Sequence, residues 1–136
     1  MKGFYMDLNE IQPSQLYISK GKLERVNQWF NPRDLSSFEP IPVKRLNGKI
    51  IFIDGHTRAC AAWQAGLQKI FVCWYDEELD WEMYEKCVEQ CHVEKINTIG
   101  DLSERIVEEE QYKVLWYHWC DKLQEALEAE RSSAIR

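Results

Sequence analysis

The stretch IIFIDGHTRACAAWQAG, residues 50–66, decides how the rest of the chain is organised. Its first four residues are apolar β-formers. An acid, a glycine, a histidine, a threonine and an arginine interrupt them, and an alanine-rich run follows with helical character. A strand that ends in Asp-Gly and feeds directly into a helix places the helix's first unpaired N–H groups, and its positive dipole end, at one rim of a sheet. Such a rim suits an anion. Gly55 permits a tight turn, Thr57 offers a hydroxyl, and the Arg58 fork matches phosphate or carboxylate. Asp54 fits beside a phosphate only if it binds a cation or orients a hydroxyl. Spacing alone also admits a plainer reading, with Asp54 as a cap, His56 in solvent and Arg58 in an ion pair.

Working outward, IPVKRL and KIIFID are β-rich runs separated by Asn47-Gly48, the pair favoured in two-residue hairpins. The helix is expected over 58–65, with Ala61, Ala62 and Ala65 as its small inner face and Gly66 closing it in the left-handed conformation. KIFVCWY returns as a strand. Upstream, FYMDLNEIQPS reads as a strand that stops near Pro13, and Ser19 caps a helix carrying Leu23, Val26 and Phe30 that ends before Pro32. Downstream the pattern is helical. Asp80 caps a helix with Tyr84, Cys87, Val88 and Cys91 on one stripe, and Asp101 with Glu104 suggests a capping box. A last helix over 107–130 aligns Tyr112, Leu115, Trp119, Leu123 and Leu127. The expectation is an α/β (α+β) fold: a small mixed sheet from segments near 4–11, 41–46, 49–54 and 70–75, in a domain over 1–76, with a helical extension over 77–136 packed on it.

The 136 residues carry a net charge of −6, unevenly divided. Residues 1–75 hold 10 Lys+Arg against 6 Asp+Glu, or +4, and residues 76–136 hold 7 against 17, or −10. An anionic ligand is therefore expected on the first half, while the overall acidity speaks against direct DNA binding. MKGFYMDLNE has no apolar core of a signal peptide and no apolar run approaches a membrane span, so a cytoplasmic protein without membrane contact is expected. Five cysteines in such a context read as reduced thiols. A zinc site can be drawn from Cys87, Cys91, His92, His118 and Cys120, but Cys87 and Cys91 fall on an apolar stripe, which favours buried thiols over zinc. Trp116, Tyr117 and Trp119 sit in an acidic helix and read as packing, and Glu108 to Glu110 as its solvated first turn.

The run PIPVKRLNGKIIFIDGHTRACAAWQAGLQKIFVCW, residues 40–74, resembles the core of the ParB N-terminal and sulfiredoxin superfamily, the ParB-like nuclease domain, with weaker similarity in LNEIQPSQL. In the nucleotide-hydrolysing ParB proteins the box resembles Gly-Glu-Arg-Arg. Gly55 and Arg58 match it; His56 and Thr57 do not, and no helix-turn-helix follows. Sulfiredoxins carry a cysteine where His56 stands. The free-serine-kinase branch resembles the box best, which implies Asp54 in metal or hydroxyl positioning and Gly55, His56, Thr57 and Arg58 as ligand-binding residues.

That branch takes its catalytic glutamate from the turn before the first helix, and the turn QPSQLYIS has none. Among Glu10, Glu24 and Glu39, the candidate base is Glu39. The resemblance implies a magnesium- and nucleotide-dependent phosphotransferase or nucleotide hydrolase, using ATP, ADP or CTP. The alternative is a non-catalytic module that binds a nucleotide or other phosphorylated molecule and engages a protein partner, or a second copy, through its acidic helices.

Overall fold

The computed structural model describes residues 2–134. Strand β1 (Phe4–Asp7) is followed by a 3-10 turn, Leu8–Glu10, so the expected strand over 4–11 is half that long. Asp7 stops it by accepting the Asn9 N–H at 2.8 Å. Then come β2 (Ile18–Ser19), α1 (Lys20–Trp29), β3 (Ile41–Leu46), β4 (Lys49–Phe52), α2 (His56–Gln64) and β5 (Lys69–Trp74). The second half supplies α3 (Trp81–Val93), α4 (Ile99–Leu102), β6 (Ile106–Val107), α5 (Glu109–Tyr112) and α6 (His118–Ala134). Among the described residues no helix is long and apolar enough to cross a membrane.

The fold is α+β, around a mixed four-stranded sheet in the order β1-β5-β3-β4. β3 is parallel to β5 and the other two pairings are antiparallel. Asn47 (φ 50°) and Gly48 (φ 80°) make the β3–β4 turn, both in the left-handed region as a two-residue hairpin requires. The sheet curls. Asp7 pairs at one edge with β5, yet Gln12 lies against Ile51 of β4 at the opposite edge, its N–H donating to Ile50 O at 2.8 Å. Five residues reach at most about 17 Å, and part of that is used in the 3-10 turn, whereas four flat strand spacings come to about 19 Å.

Helix α2 is buried on several sides, against α1 and α4 as well as the core. Small residues at four consecutive positions, Ala59 to Ala62, permit that close approach, and all four are buried. Ala65, expected on the inner face, is exposed: it is the C-cap, already turning into Gly66 at φ 85°. The helix begins two residues earlier than expected, at His56.

The second half closes on the same core. Gln12 Nε2 donates to Ile96 O at 2.8 Å, Arg105 Nε donates to Leu16 O at 2.7 Å, and β6 pairs in parallel with β2. Asp80 caps α3 through Met83 N–H (3.3 Å). The capping box of α4 is Thr98 with Asp101, not Asp101 with Glu104, because α4 is a single turn that ends at Leu102. The last helix starts at Glu109, since Val107 is taken into β6, and it runs through a π turn at Lys113–Tyr117. The wider turn shifts the inward face by one residue. Trp116 is therefore buried and Leu115 is 39% exposed, against the stripe read from spacing, while Leu127 regains the core.

Candidate functional site

The junction after β4 is built on Gly55. It is the N-cap of α2 at φ 78°, ψ 19°, and a Cβ there would meet Ile41 Cγ2 at 3.0 Å and Arg58 Nη2 at 3.2 Å. Conformation and space therefore both call for glycine. No side chain caps α2, so its first N–H groups depend on solvent or a ligand.

His56, expected to hold phosphate, lines the cleft in front of the junction and is 4% exposed. Its Nε2 accepts the Ser14 N–H at 3.0 Å, and the Ser14 hydroxyl donates to Phe52 O at 2.7 Å. Burial drives the imidazole pKa down from 6.5 to about 4, with the negative charge of Asp54 opposing the shift. The ring is neutral at pH 7, and because Nε2 accepts, the proton sits on Nδ1. His56 thus braces the head of α2 and offers one N–H donor, without charge.

Arg58 Nη1 donates to the backbone oxygen of Glu39 at 2.7 Å, and its guanidinium lies 5.4 Å from the Phe38 ring centroid. Burial lowers its pKa from the usual arginine value, and Asp54 and Glu39 act in the opposite sense. It remains a cation. The Glu39 side chain is exposed and does not line the cleft in front of the junction. The structure thus brings Asp54, Gly55, His56, Thr57 and Arg58 together and leaves the Glu39 carboxylate outside.

That cleft has a volume of ≈ 390 Å³ and lies between α1 and the head of α2, with Tyr112 at its border. Helix α1 contributes Lys22 and Arg25, one turn apart, and the apolar side chains of Val26 and Trp29. Lys22 donates to the Tyr117 hydroxyl and lies 5.0 Å from the Tyr112 ring centroid, so its ammonium is oriented by two aromatic rings. Three cations, Lys22, Arg25 and Arg58, thus meet one carboxylate, Asp54. Reasoning from motifs passed over Lys22, Arg25 and Trp29. The positive balance of residues 1–75 was the available signal, and it carried no position.

Among the described residues no three His, Cys, Asp or Glu side chains stand together as a metal site. A magnesium ion carried on phosphates needs only one or two carboxylates, and Asp54 is placed to be one. Cys87 and Cys91 are core residues whose thiols burial pushes up to about 12. His92 is on the surface, with Nε2 3.2 Å from Gln12 Oε1.

No family model matches this chain, and no curated protein does. Among solved structures it is similar to the crystal structure of protein Atu1540 from Agrobacterium tumefaciens, with a TM-score of 0.48 and 14% identity over 75% of this chain. The match covers 61% of that protein, so the chain spans less than two thirds of its length.

Proposed function

We propose that the cleft between α1 and α2 binds a phosphorylated small molecule, a nucleotide such as ATP, ADP or CTP or another phosphate ester, in a ParB/sulfiredoxin-like protein of the cytoplasm. The observation that carries this reading is the convergence of Lys22 and Arg25 from one helix and Arg58 from the other on the uncapped start of α2. Charge-assisted donors and open backbone N–H groups are the means by which proteins hold phosphate. Asp54 is the group that would receive a magnesium ion travelling with the phosphates. Val26 and Trp29 supply an apolar wall for the uncharged part of the ligand.

Phosphoryl transfer consists mostly of positioning and charge neutralisation, which this cleft could supply, but transfer to a hydroxyl also needs a base within hydrogen-bond reach. With the Glu39 side chain outside, Asp54 is the only cleft carboxylate among the described residues. This favours a second reading, a non-catalytic binding module. Its partner surface would be the helical half, where Val114 and Leu115 are exposed beside Trp119 and Leu123, and where a second copy or another protein would dock.

Calorimetric titration with ATP, ADP, CTP and inorganic phosphate, with and without magnesium, separates the readings. Arg58→Ala should weaken the best ligand by about 1.5–3 kcal/mol under either one. Asp54→Asn should abolish turnover together with the magnesium dependence of binding in a phosphotransferase. In a plain binding module it should leave affinity equal or better, by removing a repulsion. Absence of binding by the wild type at millimolar concentration would end both.

A further inference from the structure

A second cavity, of ≈ 210 Å³, adjoins the first. Its walls are Ile53, Met83 and Cys87 together with Trp116 and Cys120, and it shares His56 and Gln15 with the outer cleft. We propose that this inner cavity receives a small uncharged apolar group, an aromatic ring or a branched hydrocarbon, carried by the same molecule whose phosphate lies in the outer cleft. The proposal rests on the phosphate reading of that cleft. It narrows the ligand from any phosphate ester to one with an apolar substituent close to the phosphate.

Charge is the first argument. Among the described residues no Lys, Arg, Asp or Glu lines the inner cavity, whereas the outer cleft has four such side chains. The two hydroxyls in its wall and the acceptor nitrogen of His56 are already engaged within the protein. The Ser14 hydroxyl donates to Phe52 O, the Tyr84 hydroxyl to Ile53 O at 3.2 Å, and His56 Nε2 accepts from Ser14. Burial keeps the thiols of Cys87 and Cys120 protonated, pushed up to about 12 and about 11. A nucleobase entering here would give up water at most of its polar edges without replacement, while an apolar group gains burial.

Size and surface agree. An apolar cavity of about 150 Å³ takes a benzene ring, so ≈ 210 Å³ leaves room for a substituted ring but not for a nucleoside. Thioether, thiol and indole walls are polarisable and suit the edges of such a ring. The shared border sets the reach: His56 and Gln15 line both spaces, so the linkage between the phosphate and the apolar group is a short one that runs beside them.

The test compares inorganic phosphate with phenyl phosphate by calorimetry, on the wild type and on variants that fill the inner cavity from two different helices, Cys120→Phe and Met83→Trp. Wild type should prefer phenyl phosphate by about 10- to 100-fold, the worth of burying one ring, and the preference should collapse in either filling variant; one that folds suffices. Equal affinity of the wild type for the two compounds overturns the inner site and leaves the phosphate reading standing. A preference that falls in Trp29→Ala but persists in the filling variants also overturns it, by placing the ring in the outer cleft. If neither compound binds, the phosphate reading fails and takes this proposal with it.

Discussion

Helices α1 and α2 pack against each other, and both begin near the end of a strand, yet their first turns are completed in opposite ways. At α1, the buried Ser19 hydroxyl accepts the Lys22 N–H at 3.3 Å and donates to Glu109 Oε2 at 2.9 Å. The protein's own carboxylate, from the first turn of α5, therefore sits at the positive end of α1, where the dipole favours it. At α2 the N-cap is a glycine with no side-chain cap, and the residues that open the helix line a cationic cleft. One helix start is finished from within the fold and the other is left for something from outside. A helix N-terminus is thus not informative in itself; what distinguishes the two is whether the chain has already supplied the anion.

The start of α2 must then be held by something other than a cap, and His56 is that support. The folded state keeps the imidazole neutral, with a pKa of about 4 against 6.5 for the free group. Below pH 6.5 the unfolded chain therefore binds the extra proton, so stability falls as pH drops, until near pH 4 both states are protonated and the loss levels off. A shift of this size corresponds to about 3 kcal/mol. Urea denaturation of the wild type and His56→Gln should give a stability difference that is flat above pH 7 and shrinks toward pH 4. If that difference does not change with pH, the neutral imidazole is not what braces the junction.

Gly55→Ala is expected to act next most strongly. A left-handed conformation costs an ordinary residue roughly 1–2 kcal/mol, and the new Cβ presses on Ile41 and on the Arg58 guanidinium. Both stability and ligand affinity should fall, the former by about 2 kcal/mol. Gly48→Ala is the control, because it shares the positive φ but has nothing within 4 Å of its Cβ. Thermal unfolding of the two variants separates backbone strain from the close approach. Equal losses would mean that the contact with Ile41 and Arg58 is easily relieved.

What was legible in the sequence was local. Asn47-Gly48, Ser19, Asp80 and the Asp54-Gly55 break all act within four residues of themselves, through turn or cap chemistry, and each stands where its pattern placed it. The misreadings involve longer range. The burial of His56 depends on Ser14, 42 positions away, and the cleft depends on two cations from α1 that no motif joins to residues 54–58. The stripe of the last helix failed at Leu115 for another reason: a period of 3.6 was assumed through a segment that adopts a π turn. Glu109 stands exposed in the first turn of the last helix, as read, but its second role, accepting from Ser19 at the start of α1, joins residues 90 positions apart and has no local pattern.

The smallest effect is expected at that internally completed start. Ser19→Ala removes the acceptor for Lys22 N–H and the donor to Glu109, and loss of an N-cap hydroxyl typically costs about 1 kcal/mol. Ligand affinity should hardly change, even though Lys22 lines the cleft, because its ammonium is positioned by the Tyr112 and Tyr117 rings and by the Tyr117 hydroxyl rather than by the cap. The pair of measurements is chemical denaturation for stability and phosphate titration for affinity. A loss of stability with unchanged affinity assigns the α1 start to the fold alone. A tenfold loss of affinity, about 1.4 kcal/mol, would mean that the first turn of α1 shapes the cleft as much as the first turn of α2. The contrast between the two helix starts would then be one of degree, with Ser19 and Glu109 fixing the angle at which Lys22 and Arg25 meet the ligand.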